Sequence, residues 1–126
     1  MPRRIEKPLL VLLRASFFGC LVILALLAWL PGTIMMRTML GAHSEHFVAY
    51  LGTAISMGLA FQRSPRLATQ CILLAVYAAI LETGQLYSPG RHASFQDFAY
   101  SAAGVVAGTL LLSMARTRVL SWLGLG

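Results

Sequence analysis

The chain has 126 residues, of which 58% are hydrophobic and only 11% are charged. Soluble domains average roughly 45–50% apolar and about 25% charged residues, so this composition excludes an ordinary soluble domain. Disorder requires low hydrophobicity, and a disulfide-rich scaffold requires more than the two cysteines present, so both of those classes are excluded as well. The mean hydropathy of +0.75 indicates a membrane protein, for which we expect the lipid bilayer as partner and no nucleic acid.

Four apolar runs follow one another along the chain, at residues 9–30, 45–61, 67–86 and 95–114. Proline closes the first three, because Pro31, Pro65 and Pro89 stand just beyond them and cannot easily continue a helix. The first run is longer than the apolar core of a signal peptide, about 7–15 residues, so we expect it to be retained as a span. A spanning helix takes about 20 residues. The sequence therefore predicts an all-α, four-helix transmembrane bundle with short loops and one domain.

Basic residues are concentrated on one side of the membrane that these four runs would cross. One side would carry Arg3, Arg4, Lys7, Arg14, Arg63, Arg66, Arg116 and Arg118, and the other only Arg37 and Arg91. Cytoplasmic loops are enriched in Lys and Arg. The pattern predicts cytoplasmic termini, with the connections after the first and third runs on the outer side.

Apart from Glu6, the acidic residues gather at the opposite boundary from most basic ones. Glu45 begins the second run, Glu82 is near the end of the third and Asp97 begins the fourth, so the predicted topology places all three at the depth of the outer leaflet. An ionisable group in hydrocarbon costs about 2.5–3.5 kcal/mol, so these carboxylates are expected to face the bundle interior or a partner.

Helical spacing then gives each of three runs one polar face. His46, Tyr50 and Thr53 recur at helical steps on the second run, and Glu82 and Gln85 do so on the third. The same is true of the fourth run at Asp97, Ser101, Gly104 and Gly108, where the glycines predict close packing on a neighbouring helix. The candidate ligand-binding residues are His46, Tyr50, Glu82, Gln85, Arg91, Asp97 and Ser101.

Two other interpretations of these residues are a structural clasp, which stays open, and a zinc site, which is set aside. Arg91 would serve as countercharge, and it would equally form a structural clasp with Asp97 or Glu82. The histidines with Glu45 have neither the H-E-x-x-H nor a paired-cysteine spacing of a zinc site. We therefore expect no metal and no cofactor.

These residues in this order resemble the hallmark stretch of the VanZ-like membrane proteins. The resemblance runs from about Gly41 to Gly108 and includes Glu45-His46-Phe47, Ala49-Tyr50, Glu82, Gln85, Pro89-Gly90-Arg91, Asp97, Gly104 and Gly108. Two positions depart from the family: His43 stands where a lysine is common, and Ser101 stands where an asparagine usually follows the aspartate. The resemblance implies a small multi-pass protein of the bacterial inner membrane, in a family whose name-giving members are associated with teicoplanin resistance.

Three functions are compatible with the predicted pocket. In the first, the outer pocket engages an anionic lipid-linked or cell-wall component through Arg91, because a planar guanidinium suits phosphate and carboxylate. In the second, the chain is a membrane-embedded enzyme acting on an envelope lipid, with His46 or Glu82 as general acid or base. The third is a small transporter, although transport sites lie typically near the bilayer midplane and these carboxylates lie at helix ends.

Overall fold

The computed structural model describes residues 7–29, 42–61, 66–87, 95–122 and 124. These residues form four helices: α1 (Lys7–Trp29), α2 (Ala42–Ala60), α3 (Leu67–Gly84) and α4 (Phe95–Trp122). A 3₁₀ turn, Gln85–Tyr87, extends α3. Helix makes up nearly all of the described part of the chain, which contains no strand. The prediction of an all-α, four-helix fold is confirmed.

The helix bounds differ from the predicted runs mainly at the start of α2 and the end of α4. Helix α2 begins at Ala42, three residues before the predicted run, and α4 continues to Trp122, eight residues beyond the predicted end. No glycine or proline interrupts α4 in that stretch, so the helix continues beyond the end of the apolar run that predicted it. Gly124 follows with a φ of 73°, a left-handed conformation that glycine adopts readily just past a helix end.

Three of the helical segments are long and apolar enough to cross a membrane: Lys7–Trp29, Leu67–Tyr87 and Phe95–Ala115. Their outward surfaces carry large apolar side chains, such as Ile23, Ile72 and Leu110, each more than half exposed. Such surfaces suit lipid rather than water. Helix α2 is not among these segments, because its first turns contain Ser44, Glu45 and His46. That α2 is a fourth span stays a prediction.

Helix α2 has the most extensive packing in the bundle, chiefly against α4. The two helices run in the same direction, since His46 contacts Ser101 near one end and a side chain at Gly58 would meet Leu112 near the other. A Cβ at Gly108 would lie 2.5 Å from the Leu51 carbonyl oxygen. The predicted close packing of the α4 glycines is confirmed, and the neighbour is α2.

Gly104 shows how close this approach is. A Cβ at that position would collide with the backbone carbonyl of Phe47, which cannot rotate away as a side chain can. In a membrane no hydrophobic force drives helices together, so close van der Waals contact between backbones and interhelical hydrogen bonds hold the pair.

Helix α1 runs antiparallel to α2 and meets its C-terminal end. The Arg14 Nε donates to the Ala60 carbonyl oxygen at 3.5 Å, and the guanidinium lies 5.0 Å from the centroid of the Phe61 ring. A cation is favourable at a helix C-terminus, where carbonyls are left without intrahelical partners. Gln70 of α3 donates to the Phe61 carbonyl oxygen at 2.7 Å at the same place. One end of the bundle is thus tied by Arg14 and Gln70, and the other end contains Glu45, Glu82 and Asp97.

Candidate functional site

A small cavity lies at the acidic end of the bundle, between all four helices. Its volume is about 80 Å³, enough for a few water molecules. Its polar lining comes from three helices and consists of Glu45, His46, Tyr50, Glu82, Gln85 and Ser101. Its apolar wall comes from α1, α2 and α3 and consists of Leu24, Leu27, Ala28, Ala49, Ala78 and Leu81. We call this space the polar chamber.

Helical geometry explains why four side chains of α2 line the polar chamber. Glu45, His46, Ala49 and Tyr50 occupy one face over slightly more than one turn, so their side chains point to the same side of the helix. Thr53 follows on this face but bonds back to the Ala49 carbonyl oxygen at 2.8 Å. The polar face of α2 therefore points into the chamber at the start of the helix. Further along, its Thr53 hydroxyl is hydrogen-bonded to a backbone carbonyl of the same helix.

His46 and Ser101 join α2 to α4 across the chamber wall. The His46 Nδ1 lies 3.1 Å from the Ser101 Oγ, a hydrogen bond whose direction depends on the imidazole tautomer. Ser101 is almost fully buried and His46 is partly buried. The pair brings a hydroxyl beside an imidazole, within a cavity that also contains carboxylates.

The end of α3 supplies the other side of the chamber. Leu81 and Glu82 lie in the last turn of the helix, and the 3₁₀ turn that follows places Gln85 beneath them. Gln85 is only 2% exposed, whereas Leu86 and Tyr87 beside it point outward. The tighter 3₁₀ turn keeps the i and i+3 side chains, Glu82 and Gln85, on one side.

Five of the seven predicted site residues line this one chamber: His46, Tyr50, Glu82, Gln85 and Ser101. Asp97 lies one turn before Ser101, partly buried in the first turn of α4, and is not in the chamber lining. Arg91 belongs to the seven-residue connection between the 3₁₀ turn and α4, which lies outside the described residues. Of the predicted unit of Arg91, Glu82 and Asp97, the structure therefore places Glu82 in the chamber lining.

Glu45 and all of the apolar wall were not among the predicted site residues. Glu45 reaches the chamber from the turn that also contains His46, and its place at the same membrane depth was the signal in the sequence. The contribution of α1 through Leu24 and Ala28 had no such signal, because apolar side chains four residues apart look alike whether they meet lipid or a cavity.

Within the described part of the chain, no group of three His, Cys, Asp or Glu side chains is arranged to hold a metal ion. The chamber offers instead a set of hydrogen-bonding groups: two carboxylates, an amide, an imidazole and two hydroxyls. Groups of this kind can recognise a polar group of a ligand or move a proton, and ligand sites in proteins commonly combine such groups with an apolar wall.

Comparisons with known proteins identify no relative. No family model matches the chain, and no curated protein and no solved structure matches it.

Proposed function

We propose that the chain is a multi-pass protein of the bacterial inner membrane with both termini in the cytoplasm. The three apolar helical segments support a membrane location. Contacts of Arg14 with Ala60 and of Leu112 with Gly58 put the start of α1 and the C-terminal half of α4 at the same end of the bundle. An even number of passes has this geometry, and the positive-inside rule assigns that end to the cytoplasm.

We further propose that it is a VanZ-like envelope protein, and that its polar chamber engages the head of an anionic, lipid-linked or cell-wall component on the outer side. One observation carries this proposal: polar side chains from α2, α3 and α4 converge on a cavity at one end of the bundle. Polar groups are costly in a membrane, so a bundle that only had to pack would be more stable with apolar residues there. Their convergence on a cavity favours a ligand.

Arg91 is the residue that we propose for the anionic group of that component. The described lining of the chamber contains Glu45 and Glu82 and neither Lys nor Arg. Arg91 follows Gln85 in the connection to α4, and its planar guanidinium pairs with phosphate or carboxylate through two hydrogen bonds. The component would then carry its anionic group at Arg91 and an uncharged or positive group in the chamber.

The test uses a teicoplanin-susceptible bacterium that expresses the wild-type chain or single variants. We expect wild type to raise teicoplanin resistance, and Arg91→Lys and Glu82→Gln to abolish the increase while keeping wild-type thermal stability in detergent. Lysine keeps the charge of arginine but loses its two-pronged geometry. Ser113→Ala, at an exposed position of α4, is the matched control and should leave resistance unchanged. If resistance falls only in proportion to thermal stability, the cluster is a structural clasp and not a binding site.

A membrane-embedded enzyme is the second candidate, and the contact between His46 and Ser101 favours it. A hydroxyl 3.1 Å from an imidazole nitrogen is a pairing found in enzymes with an activated nucleophile. Purified protein incubated with an envelope lipid extract would distinguish the candidates by mass spectrometry. A lipid of changed mass that disappears with Ser101→Ala indicates an enzyme, whereas a retained and unaltered lipid indicates a binding protein.

A further inference from the structure

The Ser101 hydroxyl lies in a different setting from two threonine hydroxyls of the same bundle. Thr53 and Thr83 each donate at 2.8 Å to the backbone carbonyl oxygen four residues earlier in their own helices. This backbone bond is a common way to satisfy a hydroxyl within a helix. The Ser101 Oγ, in contrast, lies 3.1 Å from the His46 Nδ1 on another helix. The Ser101 hydroxyl is therefore next to a group that can accept its proton.

The surroundings of this pair indicate what could react with it. Both residues line the polar chamber, and Ser101 is only 2% exposed, so a reactant would reach its hydroxyl through the chamber. Leu24 and Leu27 of the apolar wall face the same space. Apolar side chains suit the methylenes next to an uncharged carbonyl, whereas a charged phosphodiester loses solvation beside them. The volume of about 80 Å³ has room for an ester group and its first methylenes.

We propose that Ser101 is a nucleophile activated by His46, and that it accepts the acyl group of a carboxylic ester in a membrane lipid. This inference rests on the membrane-embedded enzyme given above as the second candidate function. It specifies the reaction and the class of substrate.

The reaction has two steps. In the first, the Ser101 Oγ attacks the ester carbonyl carbon while the His46 Nδ1 takes the hydroxyl proton. The bond between the carbonyl carbon and the alcohol oxygen breaks, and the leaving alcohol takes that proton from the imidazole. In the second step, water attacks the acyl-Ser101 ester and gives a proton to His46, which returns it to the Ser101 oxygen as the carboxylic acid leaves. The tautomer with its proton on Nε2 is required, because Nδ1 must accept.

The first test labels the purified full-length chain in detergent with a long-chain alkyl fluorophosphonate. An activated serine displaces the fluoride and forms a stable phosphonyl ester, which peptide mass spectrometry locates. We expect Ser101 to be labelled about 100-fold faster than Ser113, an exposed serine of the same helix, because a general base contributes at least that factor. Equal labelling of the two serines overturns the proposal.

Variants show whether His46 activates the hydroxyl. His46→Ala should lower the labelling rate of Ser101 about 100-fold, and Ser101→Ala should remove that label. Tyr77→Phe is the control, because it also removes a hydrogen bond between helices, to the Leu21 carbonyl oxygen, but lies outside the chamber lining. It should keep the wild-type rate. Thermal unfolding checks that each variant is folded, and the wild-type peptide map decides the question if Ser101→Ala does not fold.

The second test identifies the substrate class. The chain is incubated with a diacyl phospholipid that has isotope-labelled acyl chains, and with the diether lipid of the same headgroup and chain length. We expect labelled fatty acid and lysophospholipid from the diacyl lipid, no product from the diether lipid, and none from either with Ser101→Ala. Release of the headgroup instead of fatty acid overturns the carboxylic ester. Cleavage of water-soluble p-nitrophenyl acetate without any fatty acid release overturns the lipid as the source of the ester.

The outcomes separate this inference from the proposed binding function. A lipid that is retained unaltered, with no labelling of Ser101, overturns the nucleophile and leaves binding in place. Labelling of Ser101 and fatty acid release without a retained lipid support the nucleophile and contradict a protein that only binds. Neither retention nor labelling contradicts both.

Discussion

His46 on α2 and Ser101 on α4 are 55 residues apart in the chain, and their side chains meet at 3.1 Å. About one and two turns further along α4, the same pair of helices comes into backbone contact at Gly104 and Gly108. The hydrogen bond and the glycine contacts share one helix register, so neither forms if the helices slide against each other. The register of α2 on α4 therefore determines both the packing of the bundle and the shape of the polar chamber.

The bond between His46 and Ser101 should contribute measurably to stability. Hydrogen bonds between membrane helices contribute about 0.6 kcal/mol on average and reach about 1.7 kcal/mol. We expect a double-mutant cycle of His46→Ala and Ser101→Ala, measured by unfolding in detergent, to give a coupling energy within that range. Strictly additive single-variant effects would show that the two side chains are neighbours without interacting.

Gly104→Ala should destabilise the bundle by about 1–3 kcal/mol, because the added methyl group meets the backbone carbonyl of Phe47 and the helices must separate. Gly52→Ala on α2 is the matched control. A Cβ at Gly52 meets nothing within 4 Å, so alanine there should be neutral or slightly stabilising. Folded yield and thermal stability in detergent provide the measurement. Equal behaviour of the two variants would contradict the close contact.

Tyr77→Phe should lower stability by about 1 kcal/mol, because the Tyr77 hydroxyl donates to the Leu21 carbonyl oxygen and so links α3 to α1. Tyr87→Phe removes the same hydroxyl from an exposed residue at the end of the same segment and should have no effect. Thermal unfolding of the two variants side by side measures the difference. A loss of stability in both would point to the substitution itself rather than to the link between helices.

Cysteine labelling tests the orientation in intact cells. In a background with Cys20→Ala and Cys71→Ala, we expect Ser88→Cys to react with a membrane-impermeant maleimide. Ser64→Cys, in the connection between α2 and α3, should react only after the cells are opened. The reverse pattern would put the polar chamber on the cytoplasmic side and exclude a role at the outer surface.

The helices themselves could be predicted from the sequence, because a long apolar run closed by proline has few alternatives in lipid. The stripe of Gly104 and Gly108 was also evident, since small residues at steps of four share a helix face whatever that face meets. These local patterns could not show which neighbouring helix each face packs against. Spacing along one helix contains no information on which helix lies opposite or in which register.

The tertiary structure decided those relations. It brought Ser101 to His46, gave Arg14 the end of α2 as its partner, and made Leu24 and Ala28 of α1 part of the chamber wall. It also separated Asp97 from the chamber lining by one helical turn, although the sequence grouped it with Glu82 by depth. The physical reason is that membrane depth follows from position along a helix, whereas contact follows from rotation and register. Both are determined by how closely the backbones of α2 and α4 can approach at their small residues.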